Sequence, residues 1–347
     1  MKDVQSRVSV GLVGAGYWGQ KLLPKFLASS NGLVRSVCDI HAGNRGTINK
    51  MFPDVVTVED YEALLRDPQL VAIIIATPPA SHYALARRAL MAGKHVWIEK
   101  PLTLNVDEGR ELVTLANHKQ LTLFSDHTFL YDPAVRKIRE LVVNNEMGKV
   151  QHLFLQRLSL GRIKRDSNVW WNSGPHDVSL VLHLLGGRPK SIALHGYRYL
   201  QSNLEDLNMA VLEMANGASA FVYHNWLYPE NTAKLTVVGD KRLLTYEGKF
   251  DKRCVTVFEY TVDRSAEGRL PLSELPTTIP SKMIAEHRLE GIYDEEPLAL
   301  AVSDFLGSIQ EGRAPISDGK FSLEVLAVLE AGEQSLRADG GKVAVRY

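Results

Sequence analysis

The chain is predicted to be α/β: a doubly wound parallel sheet over residues 1–125, then an α+β domain over 126–347 carrying a large, mostly antiparallel sheet. Three observations predict it. An apolar run, VSVGLV, enters a turn with Gly14, Gly16 and Gly19 at G-x-G-x-x-G spacing. Short apolar runs then alternate with helical stretches as far as residue 125, whereas beyond 150 strand-like runs follow one another directly. The length, 347 residues of which 45% are hydrophobic and 23% charged, suits two domains that each bury a core.

The glycine turn is the first element to justify. In a Rossmann domain the first glycine permits the tight turn, the second lets backbone approach a pyrophosphate, and the third lets helix pack on strand. A helix over 20–28 follows, with Pro24 set inside it as a source of bending. Its N-terminus favours phosphate through free N–H groups and the macrodipole. A second strand over 33–37 leads to Asp39, which lies 20 positions after Gly19. A carboxylate there accepts from both ribose hydroxyls of NAD and repels a 2′-phosphate. The nearest arginine is Arg45, so NAD is favoured over NADP.

Composition excludes several classes. Lys plus Arg and Asp plus Glu both number 40, so the net charge is zero and nothing calls for nucleic acid or an anionic membrane. No apolar run has the length of a membrane span, and no secretory pattern precedes the glycine turn. Cys38 and Cys254 stand apart without a C-x-x-C partner, which fits small core residues in a reducing compartment. The expected location is cytoplasmic, with no metal site.

The rest of the first domain continues the alternation. A helix is predicted over 41–51, a strand over 55–58 and a helix over 61–65. LVAIIIA at 70–76 shows no alternation, which is how a parallel strand covered on both faces reads. It stops at Thr77-Pro78-Pro79, a loop placed beside the glycine turn at the carboxyl edge of the sheet. His82 opens the next helix, over 83–91, where a capping or surface role outweighs a catalytic one. The strand 95–98 ends in Glu99-Lys100-Pro101, from which a lysine can reach into the crevice, and the proline admits a cis peptide bond. A helix over 106–118 and a strand over 121–125 complete the domain.

The glycine turn, the ATPPASHYALARRALMAGKHVWIEKPL run and the later GPHDVSLVLHLLG helix together resemble the glucose–fructose oxidoreductase/inositol dehydrogenase (Gfo/Idh/MocA) family over nearly the full chain. GYWG at 16–19, HTFLYDPAVRKIREL at 127–141, RLSLG at 157–161 and NVWWNSGPHD at 168–177 resemble its sugar-nucleotide 3-dehydrogenase branch. Better-known members of that branch oxidise the 3-hydroxyl of UDP-N-acetylglucosaminuronic acid with NAD. The resemblance implies cofactor contacts from Gly14, Gly16, Tyr17, Trp18, Gly19, Asp39, Thr77, Pro78, His82, Glu99 and Lys100. It also implies a partner subunit over the large sheet, in a homodimer or homotetramer.

In the second domain a helix begins at Pro133 and runs to 144, and strands are predicted over 150–158, 191–199, 209–214, 218–226, 234–238, 243–246 and 255–260. Residues 263–281 are rich in turn formers and charges and read as irregular. Helices over 297–310 and 322–338 carry apolar residues at helical spacing, and 342–346 suits a last short strand.

Hydride transfer to or from an alcohol needs a group that takes the hydroxyl proton. Lys100 and His176 have the chemistry: an imidazole that exchanges a proton near neutrality, and an ammonium that holds the hydroxyl and steadies a developing alkoxide. His176 is assigned the proton and Lys100 the polarising role, with the reverse also open. The family motif D-x-G-x-H appears here as Asn172-Ser173-Gly174-Pro175-His176, so an amide stands in the aspartate's place. Asp177 follows directly, but successive helical side chains diverge, so it caps the helix or meets another partner. His183 reads as structural. Arg157, Arg162, Lys164 and Arg165 either grip a diphosphate or uronate or form a solvated loop. Substrate contacts are assigned to His127, Tyr131, Arg157, Arg162, Asn168, Asn172 and His176; Trp170 and Trp171 either stack on a sugar or fill the core. Three functions follow: a sugar-alcohol dehydrogenase, a keto-sugar reductase, and a dinucleotide-binding sensor with a decayed site, the last suggested by Asn172.

Overall fold

The computed structural model describes residues 7–160, 163–248, 253–262 and 281–347. Strands β1 (Val8–Val13), β2 (Gly32–Cys38), β3 (Val56–Val58), β4 (Ala72–Ile75), β5 (His95–Ile98) and β6 (Leu123–Ser125) form one parallel sheet in the order 3-2-1-4-5-6. Every residue of β1 and β4 is buried, because helices cover both faces. Full burial of Ile73, Ile74 and Ile75 contributes up to about 2 kcal/mol each. Strand order reverses between β1 and β4, so the loops after them part and leave a crevice at their carboxyl ends.

Between the strands lie α1 (Tyr17–Ala28), α2 (Ala42–Met51), α3 (Tyr61–Arg66), α4 (His82–Met91) and α5 (Val106–His118). Helix α1 starts three residues earlier than the sequence suggested and runs through Pro24. A single turn at Thr128–Tyr131 and α6 (Pro133–Val143) carry the chain to the second sheet. There Asp132 caps α6 by accepting from the Ala134 amide, and Pro133 occupies the position that needs no amide.

The second sheet contains β7 (Val150–Leu160), β8 (Pro189–Tyr197), β9 (Leu207–Met214), β10 (Ser219–Asn225) and β11 (Leu227–Gly239). It continues with β12 (Arg242–Glu247), β13 (Cys254–Val262), β14 (Ser281–Leu289) and β15 (Val343–Ala344), in the order 14-13-12-11-7-10-9-8-15. Among the described residues all pairs are antiparallel except β7 with β10. Burial alternates along β9 and β10, so one face is core and the other is open on this chain. Strand β14 was not expected: its residues are mostly exposed, so no apolar alternation marks it. The irregular stretch read at 263–281 lies outside the described residues except for Ser281, which opens β14.

Helix α7 (Val169–Leu185) covers the inner face of this sheet, and α8 (Pro297–Glu311) and α9 (Gly319–Arg337) return to the first. Phe305 of α8 meets Phe26, Trp97 and Phe124 at ring centroid distances of 6.5, 5.5 and 5.6 Å. Helix α9 packs on α5 and β6 on one side and on α7 and β8 on the other. Helix α9 thus bridges the two sheets, and Pro297 and Leu298 of α8 line the cleft. Among the described residues no helix is long and apolar enough to cross a membrane.

Candidate active site

The glycine turn has the geometry that a dinucleotide requires. Gly14 sits at φ +93°, and a Cβ there would lie 2.8 Å from the Ala76 carbonyl group on the neighbouring strand end. A Cβ on Gly19 would overlap the Gly14 carbonyl oxygen, so only glycine lets α1 approach β1. Around Gly16 nothing lies within 4 Å of the added carbon, which leaves room for a ligand beside the chain. Helix α1 has no side-chain cap and no acidic residue in its first turn, so its end is suited to an anion.

Asp39 is 7% exposed and anchors this turn. Its Oδ2 accepts from the Ala15 amide at 2.7 Å and from Asn44 at 3.0 Å, and its Oδ1 accepts from the His41 amide at 2.7 Å. Three of about four lone-pair sites are therefore in use, which narrows the expectation to a hydrogen bond from one ribose hydroxyl. Arg45 donates to the Asp39 carbonyl at 2.8 Å and to Glu59 at 2.8 Å, a position fixed by the fold rather than offered to a 2′-phosphate.

A cleft of about 990 Å³ runs from Gly16, Tyr17 and Trp18, past Thr77, Pro78, Glu99 and Lys100, to Asn172 and His176. Lys100 follows β5 and precedes a cis Pro101. Its Nζ donates to the main-chain carbonyl of Asn172 at 2.7 Å. Burial pushes the Lys100 ammonium down to about 8, with Glu99 opposing and Arg157 and Lys164 adding to the shift. Parallel pairing of Ile98 with Ser125 brings the next residues, Glu99 and Asp126, side by side. Burial, then the Asp126 charge, raises the Glu99 carboxyl well above its usual range, and burial pushes Asp126 up to about 7.

His176 projects from the second turn of α7 into the same cleft, its ring edge-on to Phe129 at 4.9 Å. Burial, then the charges of Lys100 and Arg157, holds its imidazole well below the usual range, so the ring is neutral. A neutral imidazole beside an ammonium is the pairing that acid–base work on an alcohol needs. Among the described residues the Asn172 side chain bonds only to Ser173, at 3.5 Å, and its role toward Lys100 is played by the backbone. The departure from D-x-G-x-H therefore leaves Lys100 held. Asn172→Asp is expected to keep turnover within about tenfold, or about 1.4 kcal/mol, because the carbonyl is unchanged. Steady-state kinetics check it; a loss beyond about a hundredfold would mean that the side chain acts directly.

Several assigned contacts are corrected. His82 is 1% exposed, and its ring spans the Pro101 carbonyl at 2.8 Å and the Thr77 carbonyl at 2.9 Å, so it ties two cleft loops together instead of meeting a cofactor. Tyr131 is fully buried, donating to Asp304 at 2.8 Å, and is not a sugar contact. Asn168 caps α7 through the Trp171 amide and donates to Glu205 and Glu333. His127 is buried, edge-on to Phe321, and burial pushes it down to about 3. Arg157 lines the cleft with the Nε and Nη2 edge of its guanidinium bound to Asp177 at 3.1 and 2.7 Å, so that edge is not offered to a carboxylate or diphosphate. Trp170 fills the core, and Trp171 is half-buried at the cleft wall. Arg162 lies outside the described residues. Phe129 and His224 were missed: Phe129 carries no titratable group to mark it, His224 stands in no motif, and only the fold brings them to His176 and Asp177.

A cleft that joins a dinucleotide turn to an ammonium and a neutral imidazole can host hydride exchange with an alcohol, which makes this an NAD(P)-dependent oxidoreductase. The chain belongs to the Gfo/Idh/MocA oxidoreductase family: residues 8–127 match its NAD-binding Rossmann fold and 135–245 its C-terminal domain. An uncharacterised oxidoreductase of Bacillus subtilis (strain 168), YrbE, is 24% identical over 98% of this chain and 97% of its own. UDP-N-acetylglucosamine 3-dehydrogenase of Acidithiobacillus ferrooxidans (strain ATCC 23270) is 25% identical over 91% and 93%. GenD2 from gentamicin A biosynthesis, solved in complex with NAD, has the same fold with a TM-score of 0.80 at 21% identity, covering 99% of this chain and 97% of that one.

Proposed function

We propose that the chain is an NAD-dependent dehydrogenase of a sugar secondary alcohol, with C3 of a sugar nucleotide such as a UDP-N-acetylglucosaminuronate-like substrate as the preferred reading. The observation that carries it is Lys100 and His176 lining one cleft with the glycine turn. The named activity of the Acidithiobacillus relative supports the substrate class. The buried Asp39 carboxylate supports NAD over NADP. The glycine turn and Asp39 would hold the dinucleotide, whose nicotinamide would supply hydride exchange at the carbinol carbon. Lys100, fixed by the Asn172 carbonyl, holds the substrate hydroxyl and stabilises negative charge on its oxygen. His176, neutral, takes the hydroxyl proton and returns it in the reducing direction. The open face of the second sheet, with Tyr197 and Met283 more than half exposed, supports a second copy of the chain as its cover.

The purified protein is expected to bind NADH at least about tenfold more tightly than NADPH, and a UDP-sugar from a panel is expected to produce NADH from NAD. Fluorescence titration and NADH absorbance measure the two. Equal affinities would remove Asp39 from its role, and no turnover with any sugar or sugar nucleotide would favour a dinucleotide-binding sensor.

A further inference from the structure

His176 and Asp177 are consecutive on α7, so their side chains leave the helix about 100° apart and do not meet. They are nonetheless connected by a route through other elements. The His176 ring meets Phe129 edge to face, with centroids 4.9 Å apart and planes at 89°. Over the same phenyl ring stands the Arg157 guanidinium, 4.5 Å from its centroid. Arg157 is clamped by both oxygens of Asp177, and Oδ2 of Asp177 also takes Nε2–H of His224 at 2.8 Å. Arg157 and His224 are register partners on the parallel pair β7 and β10, which sets one cross-strand pair beneath the carboxylate. Asp177 is 2% exposed and His224 fully buried, so the clamp is shielded from water.

We propose that Asp177 is a positioning residue that acts through Arg157 and Phe129 to fix the His176 ring for proton transfer. This rests on His176 as the proton acceptor. Burial and then the Lys100 charge lower this ring's pKa most, and the Arg157 charge adds to them. The Asp177 carboxylate is suited to its positioning role. Burial alone would raise it, but Arg157 and the His224 bond overcome this and hold it ionised, far below the usual range. The groups that bear on His176 are Lys100 after β5, His127 after β6, Arg157 on β7 and His224 on β10; Asp177 is next in the chain on α7, but its side chain diverges. Of these, Arg157 both carries a positive charge and stands in the packing chain to the ring.

Four variants test it: Asp177→Asn, Arg157→Gln, Arg157→Lys and Phe129→Leu, with NADH binding as the check of folding. Two measurements are made, the pH dependence of kcat and KM and the NMR titration of the His176 ring, which needs no turnover. Arg157→Gln is expected to move the ring's midpoint and the acid limb of the rate profile upward. Arg157→Lys restores the midpoint but not the fork, so kcat stays low, by roughly tenfold to a hundredfold, at unchanged KM. Asp177→Asn and the milder Phe129→Leu lower kcat to a similar extent at unchanged KM. A raised KM with kcat unchanged in the Arg157 variants would overturn the proposal and make Arg157 a substrate anchor. A midpoint unmoved by Arg157→Gln would overturn it even if no tested sugar turned over, whereas absent turnover with a shifted midpoint counts against the substrate reading alone.

Discussion

Lys100→Met is expected to lower turnover by about a thousandfold or more while NADH affinity stays within a few-fold of the parent. Methionine nearly matches the length of lysine and keeps the apolar packing of the stem, but it offers no N–H to the Asn172 carbonyl and no charge to a developing alkoxide. His176→Ala is expected to lose about 10²–10⁴-fold through the missing proton acceptor. Cofactor binding survives both changes because the glycine turn, Asp39 and the end of α1 are built from other residues. The parent enzyme's pH profile follows from the same pair. His176 is neutral once the pH exceeds its lowered value, so the acid side is flat through neutrality. Burial pushes Lys100 down to about 8, so its cation is lost as the pH rises through that value and the rate falls. A limb near 8 that persists in Lys100→Met, or activity that survives in either variant, would refute these roles.

Gly19→Ala is expected to abolish measurable NADH binding and to cost about 1–3 kcal/mol of stability. The added methyl would overlap the Gly14 carbonyl oxygen and stand 2.9 Å from its carbon. Both are backbone atoms whose movement would open the turn between β1 and α1. Gly16→Ala separates folding from binding, since no heavy atom lies within 4 Å of its added carbon. It is expected to leave Tm unchanged and to weaken NADH by about tenfold or more, because the methyl fills space that a pyrophosphate needs. Thermal melts and fluorescence titration measure both variants. Unchanged NADH affinity in Gly16→Ala would move the cofactor away from this turn.

The residues that could be read from sequence are those whose role is local. Gly14 and Gly19 are legible because a positive φ and a helix–strand contact each forbid a side chain within one short stretch of chain. Strand β4 is legible because a strand buried on both faces must be apolar at every position. Lys100 and His176 were found through motifs, and the cleft brings them together. Tyr131, His82 and Asn168 misled for a common reason. Each is a polar side chain near the site in sequence, and each has its hydrogen bonds taken by residues or loops that only the fold supplies, such as Asp304 and Glu333. Strand β14 escaped because an exposed edge carries no apolar alternation.

Sequence by itself determined the dinucleotide turn and most of the succession of elements, and it marked Lys100 and His176 as groups whose chemistry suits proton transfer, since all of these depend on backbone sterics, burial period and side-chain chemistry. Tertiary structure alone decided what Arg157, Asp177 and His224 do, because Asp177 lies 20 residues from Arg157 and 47 from His224 along the chain. It also decided that the Asn172 carbonyl, present whatever the side chain, holds Lys100. Hydrogen bonds and ion pairs form wherever folding brings donors to acceptors, and chain distance carries no record of that meeting.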